Sequence, residues 1–201
     1  FAKPGVYDEG MGEIPAWGTK ARVAIDGSTA FRLIGVEGPE KTIIMGAPDP
    51  DTLTAPSNPG CGTNALKCVI MRSQGQITGF TLTGGYGFAP DSTYTSGGAF
   101  RSPGLDFHLA DCIITNNTAI KASAGMGGRL RRCYVADNKS SSNYTFDNVV
   151  LASCLLVDNE NGGVNDGSLS ASVQIYDSTM VCEPGVITPF AGGSAFRRAN
   201  C

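Results

Sequence analysis

Three seven-residue stretches, "DCIITNN" (111–117), "RCYVADN" (132–138) and "SCLLVDN" (153–159), recur at an even interval that sets their cysteines at positions 112, 133 and 154. Each places a Cys, a bulky aliphatic and an Asn at the same positions. Anchored on the cysteine column, "DSTMVCE" (177–183) continues the series after a slightly longer step, with Ser178 in the Cys place. "GFTLTGG" (79–85) precedes it by a longer step still, with Phe80 there. An aliphatic stands three places before every anchor (Ile77, Leu109, Leu130, Leu151, Ile175) and another two places after (Leu82, Ile114, Val135, Leu156, Met180). A repeat of this length fixes fold class before any local propensity does, because one unit cannot bury its apolar side alone and must stack on its neighbours.

The period suits one coil of a right-handed parallel β-helix, which takes about 20–25 residues of short strands and tight bends. Successive coils then stack at roughly 4.8 Å. The expected fold is therefore all-β, a single-stranded right-handed solenoid. A leucine-rich repeat would carry its own L-x-x-L-x-L pattern and helical stretches, and neither is present. Composition agrees: 27 Gly and 11 Pro leave little room for long helices. The N-terminal third fits less regularly, with strands expected at "ARVAID" (21–26), "FRLIGV" (31–36), "KTIIMG" (41–46), "KCVIM" (67–71) and "QITGFTLTGG" (76–85). Residues 1–201 read as one domain, a fragment or module of a longer chain, with projecting loops at 47–64 and 86–104 and a tail at 183–201. Phe1 opens inside "FAKPGVYDEG" with no leader pattern, as a mature or trimmed piece would.

Charged residues make up 16% of the chain and the net charge is −3, with "RLRR" (129–132) the most basic patch. Nucleic acid is not an expected partner, since neutralising phosphates needs clustered Lys and Arg. No apolar run approaches the roughly 20 residues of a membrane-spanning helix.

Side chains alternate along a strand, so the Cys column and the aliphatic column two places later share the inward face. Cys112, Cys133 and Cys154 are expected as a reduced internal stack, because in-register parallel Cβ atoms lie farther apart than the roughly 3.8 Å a disulfide prefers. Of the remaining four, Cys61 and Cys68 flank a short loop and are expected to bridge, and Cys182–Cys201 would close the tail onto the last coil. Asn117, Asn138 and Asn159 are expected to tie the bends by bonding free backbone groups and each other. Asn116, Asp137 and Asp158, one place earlier, must reach solvent.

"KPGVYDEG", "LIGVEGPEKTIIMG", "ITGFTLTGG", "SGGAF" and the repeated C-x-I-x-x-N resemble bacterial right-handed β-helix repeat proteins of the pectate-lyase-like type. The GGA-type and Asn-ending segments are similar, more distantly, to the repeats of chlamydial polymorphic outer-membrane proteins. The resemblance covers nearly the whole chain and implies the fold and a secreted or cell-surface setting. It carries no activity, because the group holds lyases, hydrolases and adhesins alike.

Two outward strips are expected. After the Cys column stand Ile113, Tyr134 and Leu155, then Thr115, Ala136 and Val157: too apolar for open solvent, and suited to another subunit, a loop or a tail. β-Branched residues also simply suit strands. Before the column stand Gln76, Asp106, His108, Asp111, Arg129, Arg131, Arg132, Gln174 and Tyr176. A polysaccharide lyase would need a base there, Arg129, Arg131 or His108, and positive charge or Ca²⁺ on the uronate carboxylate. A hydrolase would need paired carboxylates, for which only Asp106 and Asp111 are near. A solvated polar face accounts for the same residues without chemistry. A sugar contact would draw on Tyr176, Gln76 and Gln174, with Tyr86 and Tyr94 from the aromatic loop 86–104. No cofactor is required; Ca²⁺ is the one ion the composition suits, at "DNENGGVNDG" (158–167) with Asp158, Glu160 and Asp166, though without EF-hand spacing. The first expectation is a surface scaffold or adhesive module that meets copies of itself or another surface protein. The alternatives are a polysaccharide lyase or hydrolase and a glycan-binding module without chemistry.

Overall fold

The computed structural model describes residues 1–27, 30–88, 97–141, 144–161, 173–181 and 199–200. It is all-β, and its strands lie in four sheets that are parallel apart from one terminal strand. From residue 66 the chain visits the sheets in fixed order. Leu66–Met71, Phe100–Arg101, Gly125–Met126 and Phe146–Asp147 enter sheet I. Gly75–Thr78, Phe107–Ala110, Arg129–Arg131, Val150–Ala152 and Gln174–Tyr176 enter sheet II. Thr81–Thr83, Ile113–Thr115, Tyr134–Ala136, Leu155–Val157 and Thr179–Val181 enter sheet III, and Tyr86–Gly87, Thr118–Ala119, Lys139–Ser140 and Glu160–Asn161 enter the short sheet IV. Thr19–Ile25, Phe31–Ile34 and Thr42–Met45 give sheets I, II and III one earlier strand each, and Gly5–Tyr7 gives sheet III another. This arrangement is compatible with the expected β-helix.

The register matches the repeat residue for residue. Ile77, Leu109, Leu130, Leu151 and Ile175 are successive partners on sheet II. Leu82, Ile114, Val135, Leu156 and Met180 are successive partners on sheet III. All ten are buried and belong to one core cluster. Sheets I and II share the aromatic wall: Phe100 packs edge-on to Phe107 at 5.8 Å and lies 6.3 Å from Phe146. Phe100, placed by the sequence in a contact loop, is thus a core residue.

The corners have their own columns. Between sheets II and III, Gly79, Asp111, Arg132, Ser153 and Asp177 all have positive φ. Between sheets III and IV, Gly84, Asn116, Asp137 and Asp158 do. A left-handed residue turns the chain sharply, and Asn and Asp tolerate it best outside glycine. This is why "QITGFTLTGG" is two strands rather than one, broken at Gly79 (φ 72°).

Gly12–Ile14 pairs antiparallel with Thr19–Ile25 and carries Trp17 over the outer face of sheet I, where Ile14, Ala21 and Ile70 form a second small core. The loop 47–64 lies along sheet IV. Asp49, 1% exposed, accepts the backbone N–H groups of Asp51 and Asn64, both at 3.0 Å, and Asn58 at the far end accepts a hydrogen bond from Ser141. At the other terminus, Met180 and Val181 pair with Ala199 and Asn200. The step from Met180 to its partner Ala199 is close to the coil period set by Val135 and Leu156, so the chain rejoins sheet III in phase with the repeat.

Candidate functional site

The interior between sheets II, III and IV is closed to chemistry by its own bonding. Asn138, wholly buried, donates Nδ2 to Ile114 O (3.0 Å), Ala136 O (2.9 Å) and Asn159 Oδ1 (2.9 Å). Its Oδ1 accepts from the backbone N–H (3.2 Å) and Nδ2 (2.9 Å) of Asn117. Asn117 repeats the pattern one coil earlier, where its Oδ1 accepts from Gly85 N at 2.8 Å, and Asn159 ends the ladder on Val135 O and Val157 O. Gly85 holds the ladder's place in its coil because a Cβ there would meet Gly98 O and Asn117 Oδ1.

Phe80, Cys112, Cys133, Cys154 and Ser178 form the neighbouring inward column, all buried. The thiols of Cys112, Cys133 and Cys154 donate to the carbonyls of Ala110, Arg131 and Ala152 at 3.2, 3.5 and 3.4 Å, and Ser178 replaces thiol by hydroxyl, accepting Cys154 N at 3.0 Å. The three cysteines are free. Contact with the neighbouring thiol and burial push the Cys133 and Cys154 thiols well above the ordinary range. The bond from Cys133 makes Cys112 the first of the three to ionise.

The bridge expected between Cys61 and Cys68 is not formed, and both thiols are free and buried. Cys68 is fixed in the strand Leu66–Met71 with its Sγ donating to Thr83 O at 3.2 Å, while Cys61 stands beside Thr118 and Ala119 of sheet IV. Burial raises Cys61 to about 11 and Cys68 to about 12. Cys182 and Cys201 lie outside the described residues.

On the outer face of sheet II the polar set divides into two rows. Arg32, Gln76, His108 and Arg129 are successive partners, followed by Val150 and Gln174. Ile34, Thr78, Ala110, Arg131, Ala152 and Tyr176 form the other row. His108, Arg129 and Arg131 are exposed, and Arg129 Nε donates to Leu105 O at 3.2 Å. Tyr176 OH donates to Gln174 Oε1 at 3.3 Å. Asp106 stands in the corner before the sheet and Asp111 in the corner after it, separated by roughly 15 Å of extended chain. Asp111 makes a two-pronged ion pair with Arg132 (2.7 and 2.6 Å), which holds its carboxyl below the usual range. The two acids are too far apart for the glycosidase spacing of about 5–9.5 Å.

The outer face of sheet III is apolar. Ile43, Thr81, Ile113, Tyr134, Leu155 and Thr179 are successive partners, as are Met45, Thr83, Thr115, Ala136, Val157 and Val181. Tyr134 is 41% exposed and Leu155 39%, with Ile113 and Val157 half-buried. Thr81 is sheltered, donating its hydroxyl to Pro39 O at 2.8 Å.

No group of three or more His, Cys, Asp or Glu side chains is arranged to hold a metal ion among the described residues. Glu160 pairs with Lys139 at 3.3 Å, Asp158 turns the exposed III–IV corner, and Asp166 lies outside the described residues. Tyr86 packs against Gly60 beneath the loop 47–64, and Tyr94 lies outside the described residues. Trp17 is half-buried, with the Arg101 guanidinium 4.4 Å from its ring centre and that of Arg72 5.8 Å. Sequence reasoning missed Lys67, 1% exposed, whose Nζ donates to Gly97 O at 2.7 Å. Burial, then the nearby Arg101, bring it down to about 7. It also missed a cleft at the I–II corner whose residues, Arg72, Ser73 and Gln74 among them, sit in bends with no periodic pattern.

No family model, no curated protein and no solved structure matches the chain. Among the described residues no helix is long and apolar enough to cross a membrane.

Proposed function

We propose that the chain is a secreted or cell-surface module of bacterial type, a single-stranded right-handed β-helix of the pectate-lyase-like kind, working as a scaffold or adhesive unit. Strand–crossover–strand connections in parallel sheets are right-handed in about 98% of cases, which supports the hand. The observation that carries the functional reading is the outward row Ile113–Tyr134–Leu155 with Val157 beside it, held in register over three coils. Apolar side chains so aligned make a contact surface for another copy of the chain or another surface protein. The buried, poorly ionised thiols of Cys61, Cys68, Cys133 and Cys154 suit an oxidising setting, since the thiolate is the species that oxidises.

Sedimentation velocity tests the reading. Association that strengthens with concentration and is abolished by Tyr134→Glu with Leu155→Glu supports it. A strictly monomeric particle at about 100 µM, where a contact with Kd of ~10 µM would be filled, sinks self-assembly.

A second reading, a glycan-binding module or a lyase for acidic polysaccharides, is favoured by the alignment of Gln76, His108 and Arg129 with Arg131 in the adjacent row. Incubation with acidic polysaccharides, with and without Ca²⁺, tests it. Unsaturated product formed by the native chain and lost in Arg129→Ala or Arg131→Ala would replace the scaffold reading.

A further inference from the structure

At the corner between sheets I and II, the bends of three successive coils leave an open cleft of about 430 Å³. Gly27, Arg72, Ser73, Gln74, Gly104 and Asp106 line it. Its size falls in the range of about 300–1,000 Å³ typical of small-molecule sites. Its glycines argue that the space is built. Gly27 and Gly104 have no left-handed φ, and a Cβ at either would meet nothing within 4 Å. Neither backbone nor packing demands glycine at these places; what the missing side chains preserve is the opening.

The charge in the cleft selects the ligand class. Arg72 is offset by Asp26 at 3.5 Å, and Asp106 adds an exposed carboxylate next to Leu105, whose carbonyl accepts from Arg129. The local charges therefore balance, which does not favour a polyanion. What remains is a carboxylate that accepts two hydroxyls, and a guanidinium fork and a Gln74 amide that donate and accept in plane. That set matches the vicinal hydroxyls of a neutral pyranose. We infer that this corner cleft is a binding site for a neutral glycan, engaged through Asp106, Gln74 and Arg72. The site is separate from the apolar face of sheet III; it adjoins the polar rows of sheet II at Asp106 but uses none of the side chains of His108, Arg129 or Arg131, so it is tested apart from both readings above.

The test is NMR titration of the full chain with cellotetraose, mannotetraose and maltotetraose, and with tetragalacturonate as the anionic counterpart. At least one neutral tetrasaccharide is expected to shift the amide signals of Ser73, Gln74 and Gly104. Gly104→Trp, which fills the cleft from an unstrained position, is expected to weaken that binding about tenfold or more with the rest of the spectrum unchanged. Asp106→Asn should weaken it as well, whereas Leu155→Glu and Arg131→Ala should not. The inference is overturned if none of the three moves those signals at about 10 mM. It is equally overturned if tetragalacturonate binds there more tightly, or if Gly104→Trp leaves binding intact.

Discussion

Asn138→Ala is the most informative single substitution in this chain. It removes two amide donors, shared among three acceptors, and two accepted hydrogen bonds at a position with no exposure. A net contribution near 1 kcal/mol per bond gives about 4 kcal/mol. The methyl group cannot satisfy the buried N–H of Asn117, whose acceptor is Asn138 Oδ1, so part of the loss is the penalty of an unmet donor. The expected cost is about 4–6 kcal/mol, beyond most single substitutions. The control is Asn116→Ala in the exposed III–IV corner, where the loss is the left-handed preference at φ 54° and one bond to Thr115 Oγ1, about 1–2 kcal/mol. Urea unfolding followed by circular dichroism measures both. If Asn138→Ala falls within about 1.5 kcal/mol of the native chain, or equals Asn116→Ala, the ladder does not hold the coils together and the reasoning fails.

Two further outcomes follow from buried titratable groups. Lys67 is depressed to about 7 in the fold, so between that pH and its ordinary 10.5 the unfolded chain binds more protons and stability rises with pH. Lys67→Met removes this dependence, and its stability relative to the native chain, from urea unfolding across pH, should be highest below 7 and shrink towards 10.5; a constant difference would contradict the burial argument. Cys61 and Cys68, raised to about 11 and 12, act oppositely: their contribution is whole below the unfolded value near 9 and is lost as pH climbs through the folded ones. Iodoacetamide at about pH 8 should accordingly leave Cys61, Cys68, Cys133 and Cys154 unmodified in the native chain and label all four after denaturation, read by mass spectrometry.

The architecture was legible because stacking forces like residues into columns, and columns write themselves into sequence as a period. Leu109, Leu130 and Leu151 could be paired from spacing alone, and the outward rows followed from alternation. Spacing could not forecast the Cys61–Cys68 geometry, because proximity along a loop says nothing of where each thiol points once the strand Leu66–Met71 is fixed. Val150 interrupting the polar row was equally readable, and Lys67 was not: nothing in "LKCVIM" announces that its lysine is buried with Nζ on Gly97 O. The corner cleft was invisible because its residues come from bends far apart along the chain, as from Gly27 to Arg72 and on to Gly104.

The even spacing of the later coils bears on how the chain reaches its fold. His108 meets Arg129, and Arg129 meets Val150, across steps less than half as long as the one that joins Phe31 to Gly75. Doubling a loop adds about 0.6 kcal/mol to its closure. The block from Phe107 to Asn159 therefore combines short loops to close with the whole asparagine ladder, and it is the natural place for ordering to begin. That ranking of loop lengths implies growth outward one repeat at a time, with the irregular N-terminal strands pairing last.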